Sequence, residues 1–360
     1  KKETSLIANM MYSSDERHKA TQSIHRLITR ALQEKGMPVD EYFLVKGEKP
    51  ELADSHVPTI TSVRVARKKG IWRYLPHMLS GKIERLLVSR KVDVVVCDGL
   101  GVMRTLIPVM RHLERLSLLV VLHSLVKFKA EDLDFLQHYS DRIRLVAVSP
   151  SLARDVKAEY PSIREITSAV ANSLSPDFQA NLLDRGLARS ILNLPKSGHL
   201  SVVLSRLTEK KDVSLVIQAF AKVVSENRYL VIMGDGPQRP ALTRLVADLG
   251  MESHVIWLGW VNSASQYLRA FDLFVSASTA EGFGLSVLEA HAAGLPVVCS
   301  RLPAHEDALE HHAAFFDVGN IEGCVEHLSS VVNGDVVCDL KTRYEQFSLG
   351  YFGLVSELHP

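Results

Sequence analysis

Short apolar runs alternate with amphipathic stretches along nearly the whole chain. The apolar runs are rich in Val, Ile and Leu and have the length of strands, whereas the stretches between them repeat apolar residues every three or four positions, as helices do. Strands that are apolar at consecutive positions are buried on both faces, which is typical of a parallel sheet covered by helices. The predicted strands of the first half are Ser5–Asn9, Tyr42–Val45, Val57–Val63, Asp93–Cys97, Leu118–Leu122, Arg144–Val148 and Ile166–Ala171, and the predicted helices include Glu16–Glu34, Ile71–Ser89 and Ser151–Glu159.

The alternation is interrupted once. The region from Ser175 to Gly198 has no strand-like run and reads as a connector, after which the alternation restarts. The later predicted strands are Leu200–Leu204, Tyr229–Met233, His254–Leu258, Leu273–Val275 and Pro296–Ser300, with helices at Asp212–Ser225, Pro237–Leu249 and Ile321–Val332 and a helix within Glu281–Ala293. The pattern predicts an α/β protein of two doubly wound, Rossmann-like domains that face each other across a cleft. Ligands of such sheets bind beyond the carboxyl ends of the strands.

Composition places the chain among ordinary globular proteins. It has 360 residues, 46% apolar and 23% charged, with a net charge of +1, so nothing in its charge indicates nucleic-acid binding. The four cysteines show no Cys-x-x-Cys spacing, and three lie in or beside apolar runs, which predicts buried free thiols in a reducing compartment. No apolar stretch reaches the roughly 18 residues needed to span a bilayer. Without a secretion signal either, we expect a cytoplasmic protein.

The most informative segment is SASTAEGFGLSVLEAHAAGLPVV, which begins at Ser276. Its helix is predicted to begin near Gly284, which puts Glu281 at the entrance and Glu289 about one and a half turns inside. Unpaired backbone N–H groups and a partial positive charge make a glycine-led helix N-terminus a natural seat for phosphate. The two carboxylates are suited to accept hydrogen bonds from hydroxyl groups next to that phosphate. Phosphate and hydroxyl groups together predict a sugar nucleotide as ligand.

Two cations follow the strand Leu200–Leu204. Arg206 and Lys211 lie on the predicted turn into the next helix. The Arg side chain offers a planar fork and the Lys side chain a point charge, and both suit a diphosphate. The alternative is a solvated basic turn, which the nearby helix entrance makes the weaker interpretation.

The next two strands also end in distinctive residues. Gly234 and Gly236 follow Tyr229–Met233 and allow a tight turn that brings backbone close to a ligand, with Pro237 suited to the first helical position. Trp260 and Val261 follow His254–Leu258 and could form the wall of a site for a nucleotide base. The alternative for both pairs is simple termination of a strand.

These motifs in this order resemble the glycosyltransferases of family 4, which have the GT-B fold. The matching text is SRLTEKKD, VIMGDGP, VIWLGWV and STAEGFGLSVLEAHAAGLPVV, which lies densely between His199 and Ala308. The chain departs from the family at Ser205 and Asp212, where glycines are commoner. The resemblance implies that Arg206 and Lys211 bind the donor diphosphate. It implies that Glu281 faces the donor sugar and that Glu289 binds the ribose hydroxyls. Phosphate and sugar would also be bound by the backbone of Gly282, Phe283, Gly284 and Leu285.

The resemblance also implies roles for the two domains. Residues 1–175 would bind the acceptor, with a C-terminal helix at 342–360 packed back on them, and residues 176–341 would bind the donor. His123 follows a buried strand and by resemblance contacts the transferred sugar; the alternative is a core histidine. Asp98, at the end of the preceding strand, is a weaker candidate for the acceptor or donor. Ser14 and Asp15 occupy the loop where the family often has paired glycines, and the alternative for them is a helix cap.

The segment 64–91 is strongly basic. Nine Lys and Arg residues stand there against one acid, Glu84, and Trp72 and Tyr74 are interleaved with them. Such a segment suits anionic lipid head groups, which would hold the protein on the inner face of the cytoplasmic membrane, or a phosphorylated acceptor. The alternative is a solvated helix face.

Taken together, the resemblance predicts a retaining hexosyltransferase that moves a sugar from a nucleoside diphosphate sugar to a hydroxyl of a glycan or glycolipid. A UDP-sugar is favoured over a GDP-sugar, lipopolysaccharide or another bacterial surface glycan is the expected pathway, and no metal or other cofactor is required. Two alternatives stay open: a sugar-nucleotide epimerase or hydrolase on the same fold, and a non-catalytic sugar-nucleotide-binding protein.

Overall fold

The computed structural model describes residues 6–13, 19–46, 60–65, 76–310, 312–330 and 338–358. The chain forms two compact units: unit 1 contains Lys1–Ser173 and Arg343–Pro360, and unit 2 contains Leu174–Thr342. The sequence placed these divisions at 175/176 and 341/342. The acceptor and donor roles given to the two parts remain predictions.

Unit 1 is built on a parallel sheet of seven strands in the order β3-β2-β1-β4-β5-β6-β7. Its strands are β1 (Leu6–Ser13), β2 (Val39–Lys46), β3 (Ile60–Val65), β4 (Val92–Asp98), β5 (Ser117–Leu122), β6 (Ile143–Ala147) and β7 (Thr167–Ala169), and its first helices are α1 (Lys19–Glu34), α2 (Pro76–Ser89), α3 (Gly99–His112), α4 (Ala130–His138) and α5 (Pro150–Glu159). From the centre the chain winds outwards in both directions, so the topological switch point lies between β1 and β4. Ligands of doubly wound sheets bind at such a point.

Unit 2 repeats this plan with six parallel strands in the order β10-β9-β8-β11-β12-β13. Its strands are β8 (His199–Leu204), β9 (Arg228–Met233), β10 (Val255–Gly259), β11 (Leu273–Ser276), β12 (Val297–Ser300) and β13 (Ala314–Phe316), and its helices are α6 (Arg185–Ile191), α7 (Val213–Ala221), α8 (Arg239–Asp248), α9 (Leu285–Ala292), α10 (Pro303–Leu309) and α11 (Ile321–Ser329). The switch point of this sheet lies between β8 and β11. The predicted α/β class is therefore confirmed in both units.

The region from Ser175 to Gly198 has no strand, as predicted, but the prediction that it is only a connector is wrong, because it carries α6, which is part of unit 2. The buried guanidinium of Arg189 fixes α6 to the sheet: it donates to the carbonyl of Ala270 at 2.7 Å and to Asp272 Oδ2 at 3.0 Å. The same Asp272 oxygen accepts the backbone N–H of Leu200 at 2.8 Å, at the start of β8. Buried charge pairing of this kind leaves no periodic apolar signal in the sequence.

One helix start is also corrected. Pro237 lies before α8, and the proline in the first turn of that helix is Pro240. The last helix, α12 (Leu340–Leu358), packs into unit 1: Tyr344 donates to Glu34 at 2.7 Å, and Phe347 and Tyr351 are buried. Cys97, Cys299 and Cys324 are buried free thiols, as expected. Within the described ranges, no helix is both long enough and apolar enough to cross a membrane.

Candidate functional site

Two loops meet at the switch point of unit 2. The loop after β8 contains a short 3-10 helix, Glu209–Lys211, and it is tied to the loop after β11 by the backbone N–H of Thr279, which donates to the carbonyl of Lys210 at 2.8 Å. The ammonium group of Lys211 forms an ion pair with Glu281, and Ser278 donates to the same carboxylate oxygen at 2.8 Å. Both charged side chains are mostly buried, with 24% and 15% of their surface exposed. The structure thus brings two predicted site residues together.

One of the two departures from the family pattern, Asp212, keeps the turn of this loop. Asp212 adopts the left-handed conformation, with φ of +39°, at the residue before α7. An Asp tolerates that conformation better than most residues, and its side chain also caps the helix by accepting from Leu215 N at 3.3 Å and from the hydroxyl of Ser214 at 2.6 Å. The glycine that is commoner here is therefore replaced by a residue that keeps the turn and adds a cap.

Gly234 and Gly236 allow a close approach between backbones. A Cβ on Gly234, whose φ is +137°, would lie 1.9 Å from the carbonyl oxygen of Ser205, and one on Gly236 would lie 2.4 Å from that of Leu207. Leu207 N also donates to the carbonyl of Asp235 at 2.9 Å. The two glycines therefore pack against the loop that carries Arg206. This contact accounts for them without any ligand, and their donor-binding role remains a prediction.

Helix α9 begins at Leu285, so the predicted start near Gly284 is confirmed. Gly284 has φ of +94° and lies so close to His305 that a Cβ on the glycine would be 2.8 Å from Cδ2 of the imidazole. The two residues before it, Gly282 and Phe283, are buried, and Phe283 belongs to the core. His305 is fully buried, its Nδ1 lies 2.8 Å from the carbonyl of Ser300, and burial lowers the pKa of its imidazole. Its place against the helix entrance has no signal in the sequence.

Glu289 is the fifth residue of α9 and is partly buried. Within the described part of the chain its carboxylate has no hydrogen bond or ion pair, and burial raises its pKa to about 7. A carboxylate in this state is suited to accept hydrogen bonds from hydroxyl groups that enter the site. No hydrogen bond or ion pair joins Glu289 to Lys211 or Glu281.

The other predicted donor residues lie at the ends of neighbouring strands. Arg206 is exposed, and its guanidinium forms no hydrogen bond or ion pair with the described residues. Trp260 and Val261 follow β10 directly, and 45% of Trp260 is exposed. The end of β10 is joined to the glycine turn because Gly234 N donates to the carbonyl of Gly259 at 2.7 Å. These residues thus share one edge of the sheet.

In unit 1, His123 and Asp98 lie at the ends of β5 and β4, beside the switch point. The Nε2 atom of His123 is 3.3 Å from Asp98 Oδ1 and 3.3 Å from Nε2 of His25, a residue of α1 that the sequence did not single out. His25 is fully buried; burial lowers its pKa to about 3, and its Nδ1 lies 2.7 Å from Oδ1 of Asn9. No spacing in the sequence links His25 to His123, because 98 positions separate them.

Several predicted features fall wholly or partly outside the described residues. Ser14 and Asp15 do so, and so do residues 66–75 of the basic segment 64–91. Within that segment the structure describes side chains from Lys82 onwards, and those of Lys82 and Arg85 are exposed. The membrane and acceptor roles of the segment remain predictions.

The sequence of this chain is similar to those of known glycosyltransferases. A family model described as glycosyl transferases group 1 matches residues 184–347. The chain is 30% identical over 132 residues to the O-antigen biosynthesis glycosyltransferase WclY of Escherichia coli, covering 37% of each chain. It is 31% identical over 192 residues to the lipopolysaccharide core biosynthesis glycosyltransferase LpsD of Rhizobium meliloti, covering 53% of each. The chain therefore spans between about a third and a half of the length of these curated relatives.

Among solved structures the similarity extends over nearly the whole chain. A glycosyltransferase of Rickettsia africae matches with a TM-score of 0.75 at 16% identity, covering 99% of this chain and 96% of the other. HepE of Anabaena, solved with UDP and glucose, matches with a TM-score of 0.74 at 17% identity, covering 98% of each. These similarities confirm the predicted GT-B fold. The match to group 1 glycosyl transferases confirms the resemblance at that level, and assignment to family 4 in particular remains a prediction.

Proposed function

We propose that this chain is a retaining glycosyltransferase that moves a hexose-type sugar from a nucleoside diphosphate sugar to a hydroxyl of a glycan or glycolipid in bacterial surface glycan synthesis. The observation that carries the proposal is the Lys211–Glu281 ion pair at the switch point of unit 2. It lies at the sheet edge that carries Arg206 and before the amino end of α9, on the part of the chain that matches group 1 glycosyl transferases.

The charges of the site suit a diphosphate leaving group. Arg206 and Lys211 supply two positive charges, and the first turn of α9 supplies backbone N–H groups and the positive end of the helix dipole. With this neutralisation the reaction is expected to need no divalent metal at the diphosphate. The pairing with Glu281 holds Lys211 in place, and Glu281 is itself suited to accept hydrogen bonds from the sugar.

The proposed reaction replaces one bond at the anomeric carbon. The bond to the diphosphate oxygen breaks, a bond to the acceptor oxygen forms on the same face, and the acceptor's proton passes to the departing phosphate. The anomeric configuration is therefore kept, as the resemblance to family 4 implies. The relatives named for O-antigen and lipopolysaccharide core synthesis support a surface glycan as product, and HepE with bound UDP supports a UDP-sugar as donor. By resemblance, His123 of unit 1 contacts the transferred sugar.

The donor can be identified by binding. UDP-, GDP-, ADP- and CMP-sugars are each added to the full chain, and the thermal unfolding midpoint is measured. We expect a UDP-sugar to raise the midpoint most. Product analysis with candidate acceptors then separates transfer from two other outcomes, because an epimerase or hydrolase would consume donor without acceptor and a binding protein would form no product.

Two pairs of variants test the residues. Lys211→Ala should weaken donor binding by about 10- to 100-fold, the value of a charge-assisted hydrogen bond. Lys222→Ala, which breaks the exposed Lys222–Glu322 ion pair in the same unit, should not weaken it.

Arg206→Ala should abolish most turnover. The control is Arg244→Ala, which removes an exposed arginine of α8 and should leave turnover unchanged. Turnover of Arg206→Ala within about threefold of wild type, or about 0.7 kcal/mol in the barrier, would refute the proposal.

A further inference from the structure

We propose that His25, Asp98 and His123 of unit 1 form a binding site for one divalent transition-metal ion, with Zn²⁺ favoured by this ligand set. Their three ligand atoms lie together at the switch point of the first sheet and within 4.8 Å of one another. The proposal concerns unit 1 alone and does not rest on the donor site proposed for unit 2.

The hydrogen bonds of Asn9 fix the state of His25. The Asn9 Nδ2 atom donates to the carbonyl of His25 at 2.7 Å and to the hydroxyl of Thr29 at 2.9 Å, so its Oδ1 is the acceptor. At 2.7 Å from Oδ1, Nδ1 of His25 must therefore carry the hydrogen. The Nε2 atom of His25 is then an acceptor, and the buried side chains of Asn9 and Thr29 hold its lone pair in a fixed direction. Metal-ligating histidines are oriented by contacts of this kind at their other nitrogen.

The lone pair of His25 faces a second acceptor. Its Nε2 atom lies 3.7 Å from Asp98 Oδ1, and two acceptors at that distance are unfavourable unless a positive charge or a hydrogen lies between them. An N–H on Nε2 of His123 would lie 3.3 Å from both atoms, which is longer than the 2.7–3.2 Å that is usual for such hydrogen bonds. A cation held between the three ligand atoms would be attracted to all of them.

The same distances suit three ligands around one ion. Zinc binds His nitrogen at about 2.0–2.1 Å and carboxylate oxygen at about 2.0–2.2 Å, so two ligands at the tetrahedral angle lie about 3.3–3.5 Å apart. The cluster has separations of 3.3, 3.3 and 3.7 Å. The two imidazole rings have centroids 5.4 Å apart but nitrogens 3.3 Å apart, so they present their Nε2 edges to each other.

The chemistry of the ligands selects the class of ion. Two imidazoles and a carboxylate suit zinc and its neighbours among the transition metals, whereas Mg²⁺ and Ca²⁺ prefer oxygen ligands. The side chains of Asp98 and His123 are 13% and 17% exposed, which gives an ion a route from solvent. Three protein ligands leave a fourth position for an oxygen of water or of a hydroxyl compound. In this arrangement Nε2 of His123 binds the ion, so the sugar contact implied by the resemblance would be made at that fourth position.

Metal analysis of the full chain tests the site. The protein, carrying no histidine tag, is stripped with a chelator, incubated with Zn²⁺ and desalted, and its zinc content is measured. We expect about one zinc per chain for wild type and a loss of affinity of more than about 100-fold for His123→Ala and for Asp98→Ala. The matched control is His112→Ala, which removes an exposed histidine 3.2 Å from Glu84 in the same unit and should keep the zinc.

Two further measurements keep the test independent of folding and of the donor site. Zn²⁺ should raise the thermal unfolding midpoint of wild type but not that of His123→Ala. Mg²⁺ should raise the midpoint of neither protein. Both proteins should still bind nucleotide in unit 2. Co²⁺ should give the intense visible absorption of a tetrahedral site in wild type alone. Less than stoichiometric zinc in wild type, or equal zinc in wild type and His123→Ala, would overturn the proposal.

Discussion

At the scale of single residues, the side chain of Glu289 links ionisation to stability. Its carboxyl has an ordinary pKa of 4.5 in the unfolded chain, and burial raises this to about 7 in the folded chain. Between pH 4.5 and pH 7, the Glu289 carboxyl is therefore mostly protonated in the folded chain and mostly ionised in the unfolded chain. The cost of ionising Glu289 is absent below pH 4.5, grows as the pH rises to 7 and is complete above 7.

Glu289→Gln should remove that cost, since the amide stays neutral at every pH. We expect the variant to be more stable than wild type by about 3 kcal/mol at pH 8, and by less than about 1 kcal/mol at pH 5. Urea unfolding at the two pH values measures it. The control is Glu252→Gln, an exposed glutamate of the same unit, which should change stability little at either pH. A Glu289→Gln variant with the same small difference at both pH values would contradict this account.

At the scale of elements, the close packing of the β8 and β9 loops should make two glycines irreplaceable. Gly234→Ala places a Cβ 1.9 Å from the carbonyl oxygen of Ser205, and Gly236→Ala places one 2.4 Å from the carbonyl oxygen of Leu207. Because the clashing atoms are backbone, the loop that carries Arg206 must shift. We expect each variant to lose at least about 3 kcal/mol of unfolding free energy in urea.

Two other glycines of unit 2 separate clash from backbone strain. Gly250 has φ of +63° but nothing within 4 Å of an added Cβ, so Gly250→Ala should cost only about 1–2 kcal/mol. Gly186 lies in α6 with no positive φ and open space around it, so Gly186→Ala should be neutral or stabilising by about 0.5–1 kcal/mol. Equal losses at Gly234 and Gly250 would show that strain, and not the contact with the β8 loop, sets the need for glycine.

The elements that sequence reasoning predicted share one property. The strands of both sheets carry continuous apolar runs, and the start of α9 follows two glycines, so each has a local signal that survives in the linear chain. Helix α6 lacks such a signal, because its place depends on the hydrogen bonds of Arg189 to residues more than 80 positions away. The position of Pro237 was misjudged because Pro240, three residues later, satisfies the same helical preference.

The residues of the candidate sites also divide into those that have a local signal in the sequence and those that do not. Lys211 and Glu281 could be singled out because each follows a buried strand, and parallel strands that flank a switch point end at one edge. His25 and His305 could not, because each lies on a helix whose packing decides what it touches. His25 reaches His123 only through the pairing of β1, β4 and β5, and His305 reaches Gly284 only because α10 packs on α9. Tertiary packing, and not local pattern, creates both contacts.

At the scale of the whole molecule, the chain leaves unit 1, builds unit 2 and then returns to complete unit 1. The returning helix α12 buries Phe347 and Tyr351 almost fully, and a Cβ on Gly350 would lie 2.8 Å from the side chain of Val170. Residues that follow unit 2 in sequence therefore belong to the core of unit 1. The stability of unit 1 should depend on them even though unit 2 has its own core and its own sheet.

Phe347→Ala should therefore destabilise unit 1 selectively. Truncation of a fully buried phenylalanine typically costs about 3–5 kcal/mol, whereas Leu349→Ala on the same helix removes a side chain that is 56% exposed and should cost little. In thermal unfolding, the transition whose midpoint rises with added UDP-sugar reports unit 2 if the proposed donor site is correct. Phe347→Ala should lower the other transition and leave that one unchanged. If the nucleotide-sensitive transition falls instead, or if Leu349→Ala is equally costly, α12 does not stabilise unit 1 in the way its contacts indicate.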